Sequence, residues 1–256
     1  MTASSEKPTI VLLQGSSYPR DLYAQLIDIL EAKGYPVVFP QLPTLTGQDE
    51  PEFTSKTLAD DAVVVQNHIE QLVQQQGKLV AVLMHSYGAV LGTEAIPQQV
   101  SRAYRRKQGL TGGVIHLFYI CGMILTRGQS LDSIYHEVYK PTADSSMESN
   151  GCIRMNNPLE NIFNDLPLDE ARRWTSSMVK QSYGGATYRL TRESYRYLPS
   201  TYLITELDVG VPRSVQSYFA SITSSSVVTM RAGHCPMLSK PNELVDLVTK
   251  AVNGAI

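Results

Sequence analysis

Leu79-Val-Ala-Val-Leu-Met-His-Ser-Tyr-Gly-Ala-Val-Leu-Gly92 is the stretch whose reading decides the fold. Leu79 to Met84 is apolar throughout, the pattern of a strand buried on both faces of a parallel sheet. It runs into His85-Ser86-Tyr87-Gly88 and then into a small-residue helical segment, Ala89 to Ala95, ended by Pro97. A serine at such a strand–turn–helix junction lifts its hydroxyl above the carboxyl edge of the sheet. The helix N-terminus behind it favours developing negative charge. The usual pattern is Gly-x-Ser-x-Gly, and here Met84 occupies the first glycine position. Glycine relieves crowding there, so methionine needs extra room. On these residues alone a helix N-cap serine is the competing reading.

Working outward, short apolar runs alternate with amphipathic ones. Strands are expected at Thr9–Leu13, Tyr35–Phe39, Leu79–Met84, Val114–Cys121, Thr201–Leu207 and Val227–Met230. Helices are expected at Asp21–Lys33, closed by Gly34, at Leu58–Gln76, closed by Gly77, and at Pro212–Ser221 and Asn242–Val252. Six strands separated by helices imply an α/β fold, a mostly parallel six-stranded sheet with helices on both faces and right-handed crossovers. Residues 128–200 break this rhythm with polar turns, an amphipathic Asp169–Val179, and Tyr135, Tyr139, Tyr183, Tyr188, Tyr195 and Tyr197. A structureless loop of that length does not suit a compact domain, so a largely helical lid inserted after the fourth strand is expected. The resulting division is a core of 1–127 and 201–256 with a lid of 128–200.

A serine hydroxyl attacks only when a base takes its proton and an acid orients that base. In chains with this elbow the order is serine, acid, histidine. Asp208 follows the expected strand ending at Leu207, and His234 follows the one ending at Met230. Both fall past carboxyl ends of strands, where open α/β sheets place their sites. Glu206 and Asp132 are competing acids. Gln14-Gly-Ser-Ser17 follows the first strand and can supply the Ser16 N–H to an oxyanion, with the Tyr87 N–H as the second donor. An ordinary strand-end turn is the bland alternative. His85, His116 and Cys235 read as packing residues.

These pieces resemble the α/β-hydrolase superfamily, specifically small fungal-type serine hydrolases related to plant methyl esterases and hydroxynitrile lyases. The matching segments are Pro8–Gly15, Leu30–Val38, Met84-His-Ser-Tyr-Gly88, Gly112–Val114, Pro199–Leu203 with Asp208, and Gly233-His-Cys-Pro236. The resemblance implies the α/β-hydrolase fold, a catalytic triad of Ser86, Asp208 and His234, and no metal or organic cofactor. Family members usually carry His-Gly where this chain has Gln14-Gly15, and that histidine commonly supports the oxyanion turn. The lyase branch carries lysine directly after the catalytic histidine, where this chain has Cys235, so cyanohydrin cleavage is disfavoured.

The leading expectation is a serine hydrolase of the esterase or lactonase type, acting on a small or medium carboxylic ester, lactone or thioester. The alternatives are retro-Claisen cleavage, elimination or cyclisation in a biosynthetic pathway of secondary metabolism, and a ligand receptor without turnover. A net charge of −2 offers no basic field for nucleic acid. The cluster Arg102, Arg105, Arg106 and Lys107 reads as a solvated helix end. The longest apolar stretch, Gly112 to Leu125, is too short to span a bilayer. Three cysteines and a polar N-terminal segment point to a reducing, cytoplasmic setting. The expected partner is a small acyl substrate, with a homodimer as a further candidate.

Overall fold

Two sheets organise the chain in the computed structural model, which describes residues 6–137, 145–148 and 150–256. The strands are β1 (Thr9–Leu13), β2 (Val37–Val38), β3 (Leu79–His85), β4 (Gly113–Ile120), β5 (Ser145–Met147), β6 (Cys152–Met155), β7 (Gln181–Ser182), β8 (Ser200–Thr205) and β9 (Ser226–Met230). The main sheet has the order β2-β1-β3-β4-β8-β9, and every pairing in it is parallel. The expected α/β architecture is present.

The sheet is apolar on both faces because it separates two cores. Val11, Leu13, Val80, Val82 and Met84 face one core with the helices Leu58–Glu70 and Tyr87–Ala95. Ile10, Leu12, Ala81 and Leu83 face the other, with Leu26 and Leu30 of the helix Ala24–Ala32 and Leu244, Val245 and Val248 of Pro241–Asn253. Period-two alternation thus serves two apolar layers instead of one apolar and one wet face. Gly34 and Gly77, at φ 84° and 66°, take the left-handed positions that stop two of the helices. The first edge strand shrinks to two residues between Pro36 and Pro40, which cannot donate to a ladder.

Residues 128–200, expected as a largely helical lid, also contain strands. They contain short helices, Leu131–Glu137, Pro158–Asn161, Leu168–Ser176 and Gly184–Thr187. The strands form the antiparallel sheet β5-β6-β7. Its strands are two to four residues long, too short to print a period-two pattern, and the turn between β5 and β6 is closed by Gly151 at φ 80°. None of these strands joins the main sheet. Tyr139 lies outside the described residues.

Candidate active site

The elbow is built at the carboxyl end of β3. Ser86 has φ 51° and ψ −115°, between the last residue of the strand and the first of the helix. An L-residue at positive φ costs about 1–3 kcal/mol and persists only where its surroundings hold it. Here the Ser86 N–H donates to Ile120 O at 3.1 Å, and Ser86 O accepts from Ala89 N at 3.0 Å. Gly88 lets the helix start lie against β1: a Cβ there would come 2.4 Å from Leu13 O. The room for Met84 comes from Gly92, where a Cβ would come 2.3 Å from the Met84 sulfur. A glycine one helical turn beyond the elbow thus does the relieving that Gly-x-Ser-x-Gly assigns to its first position.

Asp208 and His234 meet past the ends of β8 and β9. Both are buried, and His234 Nδ1 lies 2.8 Å from Asp208 Oδ2. Asp208 Oδ1 accepts from Val211 N at 2.8 Å, and Oδ2 also takes Thr205 Oγ1 and Gln216 Nε2, each at 3.2 Å. Gln216 is fully buried and bonds both Thr205 N and Thr205 O, so it fixes the turn that carries Asp208. Glu206 turns away to pair with Arg213 at 3.3 Å, and Asp132 accepts the Tyr183 hydroxyl at 2.7 Å. Ser86 Oγ makes no hydrogen bond to the imidazole ring, a contact that in such sites tightens with the reacting molecule in place.

His85 connects the His234 loop to the first turn. His234 O can only accept, so the imidazole proton of His85 is at Nε2, which donates to it at 2.8 Å. Nδ1 then accepts the Tyr23 hydroxyl at 2.7 Å, and that hydroxyl accepts Gly15 N–H at 2.8 Å. Burial holds His85 well below the usual imidazole range and keeps it neutral. Gln14, where the resembling family carries histidine, donates from Nε2 to Tyr18 O at 2.9 Å. The Ser16 and Tyr87 N–H groups make no hydrogen bond with other described residues, which leaves both available to an oxyanion.

Buried polar residues extend the site on its other side. Asp61 accepts from Thr44 N at 2.9 Å, Thr44 Oγ1 at 2.6 Å and the Tyr87 hydroxyl at 2.9 Å. Burial outweighs these bonds and pushes the Asp61 carboxyl up to about 6. Gln181, on β7, accepts the Ser16 hydroxyl and the Ser17 N–H. Sequence reasoning missed Tyr23, Thr44, Asp61, Gln181 and Gln216. A signal existed for two of them, since Asp61 and Gln216 interrupt apolar helix stripes formed by Leu58, Ala62 and Val65 and by Phe219 and Ala220.

His85, Cys121 and His234 place one ligand atom each within 4.8 Å of one another. His85 Nε2 and the Cys121 thiol both donate to His234 O, at 2.8 and 3.3 Å. Burial pushes the Cys121 thiol up. Through these two bonds the cluster fastens the His234 loop.

A model of the alpha/beta hydrolase family matches residues 10–247. The chain belongs to that family. The hydrolase is 28% identical over 250 residues to a probable hydrolase of Phoma sp., covering 95% of this chain and 98% of the relative. It is 26% identical over 257 residues to the alpha/beta hydrolase nvfD of Aspergillus novofumigatus, covering 98% of both. The crystal structure of polyneuridine aldehyde esterase shares the fold, with a TM-score of 0.72 at 16% identity over 96% of this chain and 99% of that one. The protein is thus an enzyme of the α/β-hydrolase type. No helix among the described residues is long and apolar enough to cross a membrane.

Proposed function

We propose that this hydrolase is a cofactor-independent serine esterase, cleaving a small or medium carboxylic ester, lactone or thioester through an acyl-enzyme on Ser86. The observation that carries the reading is the buried contact of His234 Nδ1 with Asp208 Oδ2 at 2.8 Å. With the Nδ1–H donating a hydrogen bond to Asp208, Nε2 holds the lone pair that takes the Ser86 proton. Ser86 then attacks the acyl carbon. Asp208 stabilises the imidazolium, and Val211 N, Thr205 and Gln216 keep its carboxylate in place. The Ser16 and Tyr87 N–H groups hold the oxyanion, each such donor contributing about 3–4 kcal/mol. His234 protonates the leaving group, and water repeats the sequence on the acyl-enzyme. Free, buried Cys121, Cys152 and Cys235 suit a reducing compartment.

Ser86→Ala is expected to fold normally and to lower kcat by about 10⁴–10⁶, because members of a triad act as a unit. A fluorophosphonate should label the wild-type protein at Ser86 alone. Ester turnover by the variant within tenfold of wild type, or labelling at another residue, would remove Ser86 from the mechanism.

A further inference from the structure

The residues proposed to supply the oxyanion N–H groups are Ser16 and Tyr87. They lie on separate turns, after β1 and after β3. Their side chains are nevertheless the two ends of one hydrogen-bonded chain, buried except at its Ser16 end. The Ser16 hydroxyl donates to Gln181 Oε1. Gln181 Nε2 donates to Thr44 Oγ1 at 3.3 Å, and Thr44 Oγ1 donates to Asp61 Oδ2 at 2.6 Å. The same carboxylate oxygen accepts the Tyr87 hydroxyl at 2.9 Å. The orientation of the Gln181 amide follows from its neighbours. Ser17 N–H, which can only donate, lies 3.2 Å from Oε1, so the oxygen faces the first turn and the NH2 faces Thr44.

Gln181 is the one member of this chain that the core does not supply. It lies on β7, is fully buried, and is separated from Ser16 by 165 residues. Its neighbour Ser182 is tied to the core as well, with its N–H on Thr44 O at 2.9 Å and its hydroxyl on Lys56 O at 2.7 Å. Gly185 keeps the junction close: a Cβ there would come 3.1 Å from the Tyr87 hydroxyl and 3.3 Å from Gln181 Nε2. Ser17, at φ 60°, holds a conformation an L-residue rarely adopts, and Gln181 supplies the acceptor for its N–H.

We propose that Gln181 is a positioning residue for the oxyanion hole, so that the hole reaches its working geometry only with the lid seated on the core. The inference rests on the serine-esterase reading, and its chemistry adds no step to it. Gln181 touches no reacting atom. It fixes the turn that aims one donor and, through Thr44 and Asp61, braces the side chain of the residue that supplies the other. An oxyanion donor displaced from its place loses most of its effect on the transition state and little of its effect on the bound ester.

The test compares Gln181→Met with wild type, using p-nitrophenyl butyrate as substrate and a trifluoromethyl ketone of matching chain length as a tetrahedral-adduct inhibitor. The expected result is a fall in kcat of about 10–100-fold with KM nearly unchanged, and a loss of ketone affinity by the same factor. A merely structural residue would lower the melting temperature and leave both quantities intact in the folded fraction. Ser16→Ala removes the hydroxyl that Gln181 accepts and keeps the Ser16 N–H. It should lower kcat and ketone affinity in the same direction, and less than additively when combined with Gln181→Met. If Gln181→Met does not fold, Ser16→Ala carries the test alone. Wild-type kcat and ketone affinity in a folded Gln181→Met, or in Ser16→Ala, overturn the proposal. Ser86→Ala in the same assay separates the two failures. An active Ser86→Ala defeats the esterase reading itself. An inactive one beside wild-type-like Gln181→Met and Ser16→Ala defeats only the role of Gln181.

Discussion

The central strands and residues 128–200 are fastened by different mixtures of forces. In β3 and β4, Val80, Val82, Met84, Leu117, Phe118 and Tyr119 are at most 1% exposed and face apolar layers on both sides. Residues 128–200 join the core through apolar side chains such as Ile134, Ile162, Phe163, Leu190 and Tyr195, buried in the two layers, and through hydrogen bonds besides. Gln181 reaches Ser16, Ser17 and Thr44, and Asn164 donates to Leu207 O at 2.9 Å. Asp165 accepts Gly233 N–H at 2.6 Å, and Glu94 accepts Thr191 N at 2.7 Å and Arg192 N at 3.1 Å. Burial is shared by every residue of a layer, so the sheet is cooperative. A polar tie is local, each net contribution being about 1 kcal/mol. The polar ties of residues 128–200 can therefore be removed one at a time while the sheet stays folded. Two of these ties, at Leu207 and Gly233, adjoin the loops that carry Asp208 and His234.

The hardest way to break this contrast is inside the sheet. Phe118→Ala should cost about 3–5 kcal/mol and lower protection of every amide together. Urea unfolding followed at separate core and lid probes checks it. A midpoint that moves only at the lid would show that the sheet is not the cooperative unit.

At the polar junction the test is pH. Asp61 has its carboxyl raised by burial to about 6, so the folded protein holds a proton there that the unfolded chain has released. Its contribution therefore favours folding below pH 4 and is lost as pH rises from about 4 to about 6. The loss amounts to on the order of 3 kcal/mol at neutral pH. The stability difference between wild type and Asp61→Asn should shrink or grow by that amount over this window, in the direction that makes wild type relatively weaker at pH 7. A difference independent of pH would mean that Asp61 is ionised throughout.

Where the core helix meets residues 188–192, Glu94→Ala removes the acceptor of the Thr191 and Arg192 N–H groups. A cost of about 1–3 kcal/mol is expected, with faster hydrogen exchange at 188–192 and unchanged exchange at 79–85. Equal acceleration of both segments would erase the distinction. At the surface, the Arg172–Asp169 pair at 3.8 Å joins two well-exposed side chains, and Arg172→Ala should leave the urea midpoint where it is. A clear downward shift would show that lid surface charges matter more than their solvation suggests.

The same contrast explains what the sequence discloses. Runs such as Leu79–Met84 are legible because burial on both faces leaves only apolar residues to write with. Ser86, Asp208 and His234 are legible as candidates because each follows such a run. The β5-β6-β7 strands are not, since their short pairings are held by long-range polar ties rather than by a repeating pattern. Nor is the chain Ser16–Gln181–Thr44–Asp61–Tyr87, whose members acquire their meaning only from distances. Asp61 and Gln216, polar residues set in apolar helix stripes, are the intermediate case: their oddity is visible, but their partners are not.

The neighbouring fit of Met84 and Gly92 also constrains how this elbow could have changed by single substitutions. A Cβ at position 92 has no room beside the Met84 sulfur, while Met84→Gly would leave that buried volume empty. Each change alone carries a penalty, and each relieves the penalty of the other. The two positions form an epistatic pair, so a lineage moving between this elbow and the ordinary glycine pattern passes through a less stable intermediate unless both codons change together. A search that tests position 84 without position 92 judges half of a single adaptation.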